Sequence, residues 1–256
     1  MSQSQPAPIV LYDLSGGPAE NPHKLTAPSP WKVRYALNFK KLNYRTEWVD
    51  LPDVPSVRQG LGVETKDRYP DGTPYYTLPI LKDDSEGKKA LLGETFDIAV
   101  YLDKAYPDGP SLFPGGTVGL MAAFNDYVEA LFAPFVFLNF DDFPFNSATE
   151  ESTKAKLAAR MGKTRWEDVL LTADARKEML RKFESEMGKL ARHYETKGTS
   201  GPFLLGGETP TFADFIVGAR LMALQCAIKE WDEVQMWHGG LWGRLHKALA
   251  PWREVK

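Results

Sequence analysis

Apolar and polar positions along the first fifty residues follow the spacing of a strand, then of a helix, then of a second strand. Residues 9–12 form an apolar run that is too short for a helix. Residues 31–41 place apolar residues between cations, in the pattern of an amphipathic helix with positive charge toward its C-terminus. Ser29 and Pro30 predict its start, as the N-cap and the first helical residue. Residues 44–49 alternate in polarity, which predicts another strand.

The chain then has a polar insertion followed by a second group of strands. Residues 50–77 are rich in proline and glycine, and they predict a short helix near residues 56–60 and a hairpin-type turn at residues 69–74. Two apolar runs joined by a charged turn, residues 78–81 and 89–92, predict an antiparallel strand pair. This part of the chain is therefore expected to form a mixed sheet with helices.

A helix is predicted over residues 96–106, and it ends in a stretch rich in proline and glycine near residue 110. Later periodicity is helical alone, which predicts two domains, residues 1–110 and residues 111–256. Pro134 is expected to kink one of the later helices, and Thr211 with Asp214 predicts a capping box. The later helices are predicted over residues 120–140, 154–162, 165–171, 173–197, 211–230 and 240–249.

Composition removes several classes of partner. A formal net charge of −3 lacks the basic excess that nucleic acid or an anionic membrane surface requires. The single cysteine, Cys226, excludes an intrachain disulfide, and the four histidines show no ligand spacing, so we expect no metal. The first eight residues are polar, and no stretch is expected to approach the roughly 18 apolar residues of a membrane span. We therefore expect a cytoplasmic protein.

Candidate chemistry lies at the two ends of residues 77–95. Pro79 stands at the entrance of an apolar strand, and a cis bond before it would leave the Leu78 backbone N–H and C=O free to pair with an extended peptide. Glu94 and Thr95 stand at a helix start, where they offer a carboxylate for an ammonium group and donors for a carboxylate. Together they predict a socket for a small zwitterionic peptide. On local pattern alone, Pro79 could simply open a strand and Thr95 cap a helix.

The order of elements is that of a thioredoxin-like domain followed by an all-helical domain, and with its motifs the chain resembles the cytosolic glutathione transferases. The resemblance spans almost the whole chain. Within the family, the first helix and the long segment before the third strand are similar to fungal glutathione transferases related to bacterial β-etherases. The motifs that carry the resemblance are Pro30-Trp31-Lys32-Val33-Arg34-Tyr35-Ala36-Leu37, Thr77-Leu78-Pro79-Ile80-Leu81, Gly93-Glu94-Thr95, Phe203-Leu204-Leu205-Gly206 and Thr211-Phe212-Ala213-Asp214-Phe215.

The resemblance implies that glutathione is the co-substrate, that Pro79 is cis, and that Leu78 pairs with the cysteinyl backbone of glutathione. It also implies that Glu94 and Thr95 hold the γ-glutamyl end. It further implies a homodimer. Because the long segment over residues 50–77 lies near where such dimers usually pack, the dimer could use a non-standard interface.

The group that activates the thiol is less clearly marked. A thiolate needs a hydroxyl or free N–H donors at the start of the first helix. In serine-dependent members of the family a Ser-Pro pair precedes this helix, and an ungapped match places Ala27-Pro28 there. Either Ser29-Pro30 is the equivalent pair, or Thr26, Ser29 or bare N–H groups substitute for the lost hydroxyl. We favour Ser29, with Thr26 in reserve, and because no cysteine lies here we expect no thiol-exchange chemistry.

The electrophile's pocket is expected to be apolar and to lie between the two domains. An aromatic-dense stretch over residues 124–145 predicts mostly core, but Tyr127 and the bend at residues 139–145 could line a site for flat aromatic ligands. Tyr75 and Tyr76 could cover a bound peptide or serve only as strand residues. The cations Arg34, Lys40 and Lys41 of the first helix are expected to be solvated, although one could meet a carboxylate of glutathione.

Three functions remain open from the sequence. The favoured one is a glutathione transferase that conjugates or cleaves aromatic or lignin-derived electrophiles. The second is a ligandin-type binding protein for aromatic compounds and glutathione conjugates, with little turnover. The third is an interaction module of the same fold without chemistry.

Overall fold

The structure is a computed structural model, and it describes residues 8–16, 27–69, 72–141, 143–196 and 200–256. Its four strands are β1 (Ile9–Ser15), β2 (Tyr44–Asp50), β3 (Ile80–Asp83) and β4 (Ala90–Leu92). They form one sheet in the order β2-β1-β3-β4, in which β1 and β2 are parallel and the other pairs are antiparallel. This is the mixed sheet of a thioredoxin-like domain, and the helical part that follows completes the predicted fold class.

Nine α-helices lie within the described ranges. They are α1 (Pro28–Phe39), α2 (Val54–Leu61), α3 (Thr95–Ala105), α4 (Val118–Phe132), α5 (Glu150–Arg160), α6 (Ala173–Tyr194), α7 (Phe212–Ala227), α8 (Trp231–Val234) and α9 (Trp237–Ala248). Short 3₁₀ helices cover Leu51–Asp53, Pro114–Gly116, Ala133–Asn139, Trp166–Asp168 and Ala250–Trp252. Pro134 therefore interrupts α4 as predicted, while the helix expected over residues 165–171 shortens to a single 3₁₀ turn.

Helix α1 joins the two parts of the molecule and is buried on all sides. Its residues from Pro30 to Phe39 are buried, and it packs against both α3 and α7. The expectation that Arg34 and Lys40 are solvated is therefore wrong, since Arg34 is fully buried in an ion pair with Asp13 at 2.6 Å and Lys40 pairs with Asp103 at 3.0 Å. A helix that is packed on both sides has no solvated face for its cations, so they form ion pairs with carboxylates inside the protein. Lys41, two residues past the end of α1, is exposed.

The start of α1 also differs from the prediction. Ala27 is the N-cap, with φ −85° and ψ 119°, and Pro28 is the first helical residue, so Ser29 lies inside the first turn and is not the cap. A residue before proline is disfavoured in the helical region, which keeps Ala27 extended, and Pro28 lacks an N–H that would have no partner at this position in any case. The helix can therefore begin two residues earlier than the Ser29-Pro30 pair suggested.

One segment passes the composition test for a membrane span, contrary to the sequence expectation. Val118–Asn139 is 22 residues long with a mean hydropathy of 1.3 over its most apolar window. Such a segment on its own is weak evidence, because core helices of soluble proteins pass the same test. Here it is broken into α4 and a 3₁₀ helix, and Val128 and Phe132 are buried in the main core.

Candidate functional site

A cavity of about 540 Å³ lies between the sheet part and the helical part of the chain. Five of the predicted site residues line it, and Thr26 lies outside the described residues. The five are Ser29, Leu78, Pro79, Glu94 and Thr95. The structure thus brings the residues predicted from three separate stretches of sequence to one cavity, whose volume suits a small ligand.

Leu78 and Pro79 form the edge of this cavity just before β3 begins. The Leu78–Pro79 peptide bond is cis, as expected. The Leu78 side chain is buried in a small core with Val54 and Ile80, which fixes the segment from behind. Leu78 lies outside any strand, and within the described residues its backbone N–H and C=O make no hydrogen bond. These two groups are therefore available to a ligand in extended conformation.

The start of α3 forms the next part of the cavity wall. Glu94 is the extended N-cap and Thr95 the first helical residue, so the first N–H groups of α3 have no intrahelical acceptor. The Glu94 side chain is about one-third exposed, and burial raises its pKa, while Arg58 nearby acts in the opposite direction. A carboxylate and a helix N-terminus thus stand side by side, an arrangement that suits an ammonium group and a carboxylate of the same ligand.

A buried arginine that the sequence analysis missed ties these two stretches together. Arg58 on α2 is fully buried, and its Nη1 donates to the Thr77 carbonyl at 2.6 Å and to the Gly93 carbonyl at 3.3 Å. Those carbonyls belong to the residues directly before Leu78 and Glu94. Arg58 also donates to the carbonyls of Val63 and Glu64. One side chain therefore fixes the spacing between the two stretches predicted to hold a ligand.

The helical register of α2 contains a signal for this role. Val54, Val57, Arg58 and Leu61 share one face at the spacing i, i+3, i+4 and i+7, which places the arginine on the apolar face of the helix. Gly93 completes the arrangement, because a methyl group added there would overlap the Arg58 guanidinium and lie 2.5 Å from Val63 Cγ1.

The first turn of α1 reaches the cavity through Ala27, Pro28 and Ser29. Ala27 has no hydroxyl, and Pro28 and Pro30 have no N–H. Within residues 27–30, the donors left are the N–H groups of Ala27 and Ser29 and the Ser29 hydroxyl. The Ser29 side chain makes no hydrogen bond to any described residue, so its hydroxyl is open to a ligand.

The opposite wall of the cavity comes from the helical part and is largely aromatic. It includes much of the predicted bend, but Tyr127 is not part of it, since its ring packs edge-on against His193 at 5.7 Å between centroids. Tyr75 and Tyr76, which lie between α2 and β3, do line the cavity. The aromatic lining from the helical part is Phe132, Phe135, Phe140, Phe143, Phe145 and Phe183.

An ion cluster of one buried and two partly exposed side chains lies beside these rings, and two of its members, Glu129 and Arg220, also line the cavity. Lys32 donates to Glu129 at 2.6 Å and to Asn125 at 2.8 Å, and Arg220 binds the other oxygen of Glu129. Burial alone would raise the pKa of Glu129, but the two cations outweigh it and the pKa is lowered. The carboxylate is therefore ionised and shared between α1 and α7.

No group of three or more His, Cys, Asp or Glu in the described ranges is placed to hold a metal ion.

Comparison with known sequence families assigns both parts of the chain. Residues 26–105 match the profile described as glutathione S-transferase, N-terminal domain, and residues 119–252 match that of glutathione S-transferase, C-terminal domain. Among curated proteins, the glutathione S-transferase-like protein ustS of Aspergillus flavus is 27% identical, with 99% of this chain and 94% of that protein covered.

Solved structures give the same result. A glutathione S-transferase of Ceriporiopsis subvermispora, crystallised in complex with glutathione, is 31% identical with a TM-score of 0.84, and the match covers 97% of this chain and 98% of that one. Glutathione transferase GSTFuA2 from Phanerochaete chrysosporium is 29% identical with a TM-score of 0.83, and the match covers 99% and 100% of the two chains.

Proposed function

The chain belongs to the glutathione S-transferase family, and from that premise we propose that it binds glutathione in the cavity and transfers its thiol to aromatic electrophiles. One observation carries the proposal: the free backbone of Leu78, the start of α3 and the start of α1 all border one cavity with an aromatic opposite wall. The first two would hold the tripeptide and the third would face its sulfur.

Each part of glutathione has a counterpart in the cavity. The N–H and C=O of Leu78 pair with the cysteinyl backbone in the manner of an added strand. The Glu94 carboxylate accepts from the γ-glutamyl ammonium, and the Thr95 hydroxyl and the first N–H groups of α3 donate to the γ-glutamyl carboxylate. In this proposal the socket belongs to residues 1–110, and residues 111–256 supply the wall that contacts the electrophile.

Ser29 is the group we assign to the thiol. Its hydroxyl donates to the sulfur and stabilises the thiolate after the thiol proton leaves to solvent, and the N–H groups of Ala27 and Ser29 add to the same effect. The thiolate then attacks an electrophilic carbon, a carbon–sulfur bond forms, and the leaving group departs with its electron pair. Thr26 remains the reserve for the same role.

The test combines glutathione binding with conjugation. Isothermal titration should show saturable binding of glutathione, and turnover of chlorodinitrobenzene should release the glutathione conjugate and chloride. Ser29→Ala should raise the pKa of the thiol of bound glutathione, while glutathione binding persists. This pKa is measured from the ultraviolet absorbance of the thiolate as the pH is varied. An unchanged thiol pKa would transfer the role to Thr26 or to backbone donors, and absence of glutathione binding would overturn the proposal.

A ligandin-type role is the second candidate, and one observation favours it. The N-cap of α1 is Ala27, which has no hydroxyl to offer at the position where a serine stands in serine-dependent members of the family. A protein that binds glutathione and aromatic compounds but turns over no electrophile would fit this role. Ala27→Ser should then create turnover that the parent protein lacks.

The substrate class is the finer part of the proposal. The aromatic wall favours flat aromatic electrophiles, including lignin-derived compounds, and the similarity to β-etherase-related enzymes suggests cleavage of aryl ethers. A fluorogenic β-aryl ether incubated with glutathione tests this directly. Release of the free phenol only when glutathione is present would support ether cleavage, and conjugation of chlorodinitrobenzene without any ether cleavage would confine the activity to addition.

A further inference from the structure

We propose that the cavity contains an anion-recognising subsite between Arg220 and Arg160, and that the aromatic compound bound beside glutathione carries a carboxylate or another acidic group. The inference deepens the proposed function, because it concerns the second ligand of the same cavity. It rests on the positions of two arginines and on polar atoms of the cavity wall that have no partner among the described residues.

Arg220, on α7, is held at the cavity wall from two sides. Its Nη2 binds Glu129, and its guanidinium carbon lies 5.4 Å from the centroid of the Phe132 ring, which also lines the cavity. The side chain is 19% exposed. Its Nε is buried and has no hydrogen-bond partner within the described part of the chain. A guanidinium fixed in this way loses little freedom when its exposed part binds an anion.

The charge of Arg220 is not cancelled by Glu129. That carboxylate also pairs with Lys32, whose side chain is only 3% exposed, so one negative charge is shared by a buried and a partly exposed cation. Asn125, the other partner of Lys32, is neutral. Among these three ionised groups, two positive charges therefore stand against one negative charge, while Asp126 adds a negative charge that acts on Lys32.

Arg160, at the end of α5, adds a second cation to the same cavity. Its guanidinium carbon lies 4.7 Å from the centroid of the Tyr75 ring, and it makes no ion pair or hydrogen bond to a described residue. Arg160 is an exposed residue by surface area. The protein atoms crowded around its guanidinium and the charge of Arg220 lower its pKa, whereas Tyr69 and Asp67 act in the opposite direction. Two arginines that repel each other across a cavity are both stabilised when an anion lies between them.

Unpartnered polar atoms of the cavity wall fit the same kind of ligand. Within the described residues, the Tyr75 hydroxyl and the Asn139 Oδ1 are buried without a hydrogen bond, and both residues line the cavity. The hydroxyl can donate to an acidic group, and the amide oxygen can accept from a phenol. Four carboxylates also line the cavity. Glu129 binds Lys32 and Arg220, Glu94 faces Arg58, and Asp50 accepts from Asn146 at 3.1 Å. The fourth, Asp67, acts on Arg160.

The test compares two ligands of one shape. Naphthalene carboxylate and naphthalene carboxamide share one shape and differ in charge and in one hydrogen-bonding group, an oxygen in the first and an NH₂ in the second. Titration calorimetry on the whole protein gives both dissociation constants. We expect the carboxylate to bind about tenfold tighter, in line with one charge-assisted hydrogen bond. Arg220→Gln should reduce the ratio to about twofold or less, and Arg160→Gln should lower it by a smaller amount.

Two further variants show whether the loss of preference comes from the lost charge or from a disturbed fold. Arg220→Lys keeps the positive charge and should retain part of the preference, which a merely structural role of Arg220 does not predict. Arg181→Gln removes a 74% exposed arginine away from the cavity and should leave the ratio unchanged. Equal binding of the two ligands by the parent protein, or no detectable carboxylate binding, would overturn the subsite.

Glutathione binding, measured on the same proteins, keeps the two proposals apart. A preference for the carboxylate without glutathione binding would leave the subsite standing and remove the transferase proposal. Glutathione binding without the preference would do the reverse. A loss of glutathione affinity in Arg220→Gln as large as the loss for the carboxylate would mean that the arginine holds a carboxylate of glutathione itself, which overturns the subsite.

Discussion

The two walls of the cavity offer a ligand different kinds of groups. On the sheet side the groups are mostly main-chain atoms, at Leu78 and in the first turn of α3. On the helical side they are side chains, namely aromatic rings and the guanidinium groups of Arg160 and Arg220. A main-chain wall recognises the backbone of a peptide almost independently of nearby substitutions, whereas a side-chain wall changes its specificity with each substitution.

The geometry of the main-chain wall depends on one side chain, Arg58, whereas the helical wall depends on no single residue in this way. The two ligand-holding stretches of the main-chain wall begin at Leu78 and Glu94, 16 positions apart in sequence, and the Arg58 guanidinium binds the carbonyl before each of them. The helical wall distributes its contacts over several rings packed on one another, as in the pairs Phe132–Phe183 and Phe140–Phe143. We therefore expect a single substitution on the sheet side to abolish ligand binding there, whereas single substitutions on the helical side should each weaken ligand binding by a small amount.

Arg58→Met gives the largest expected effect. The substitution leaves the carbonyls of Val63, Glu64, Thr77 and Gly93 without this donor, and we expect a loss of about 3–5 kcal/mol in the free energy of unfolding. Glutathione binding should be lost even under conditions where the variant is still folded, namely in buffer without urea. Urea unfolding and calorimetry measure the two effects. Arg181→Met, at an exposed position, serves as the matched control, and a fully stable Arg58→Met protein would contradict the role assigned to Arg58.

Gly93→Ala is expected to act through the same guanidinium with a smaller effect. The added methyl group meets Arg58 and Val63, and overpacking of this kind costs about 1–3 kcal/mol. Glutathione affinity should fall with it, because Gly93 directly precedes Glu94. Gly60→Ala on α2 is the control, since nothing lies within 4 Å of its added methyl group and alanine should stabilise the helix by about 0.5–1 kcal/mol. Equal stability of the two variants would argue against a fixed guanidinium behind the socket.

The features that were predictable from sequence are those set by local chemistry. The strand entrance at Pro79, the start of α3 at Glu94 and Thr95, and the capping box of Thr211 and Asp214 each depend on residues within a few positions of one another. The break after α4 follows from Pro134 in the same way. Such features need no knowledge of the partner surface, so the sequence pattern contains them.

The features that were missed depend on what packs against a segment. Lys32, Arg34 and Lys40 are the cations of an amphipathic pattern, and they are buried only because the sheet, α3 and α7 surround α1. The interaction between Arg58 and Gly93 joins two segments that are 35 residues apart in sequence. Ser29 was misplaced as the N-cap because Pro28 and Pro30 both suit a first turn, and the sequence alone does not decide which of them starts it.

Glu94→Gln sharpens the comparison within the sheet wall, because it changes one side chain there and leaves the backbone groups in place. At neutral pH, glutathione affinity should fall about tenfold through loss of one charge-assisted contact to the ammonium group. Burial raises the pKa of Glu94 from 4.5, and only the ionised form binds an ammonium group. Affinity in the parent protein should therefore decline as the pH is lowered through that raised pKa. Calorimetry across this range should show the decline in the parent and a flat profile in Glu94→Gln, and a decline of the same size in both would assign it to another group.

Thr211→Ala gives the smallest effect and tests whether loss of stability alone can weaken binding. Thr211 and Asp214 cap α7 reciprocally, and Asp214 also accepts from the N–H of Leu204 at 2.8 Å. Removal of the hydroxyl should cost about 1 kcal/mol in urea unfolding. Because this cap is not among the residues that line the cavity, the affinities for glutathione and for the naphthalene ligands should not change. Gly93→Ala destabilises the protein by a similar or larger amount beside the socket, so a loss of glutathione affinity in that variant alone would assign it to the displaced Arg58. A parallel loss in Thr211→Ala would mean that the sheet wall responds to the stability of the whole fold.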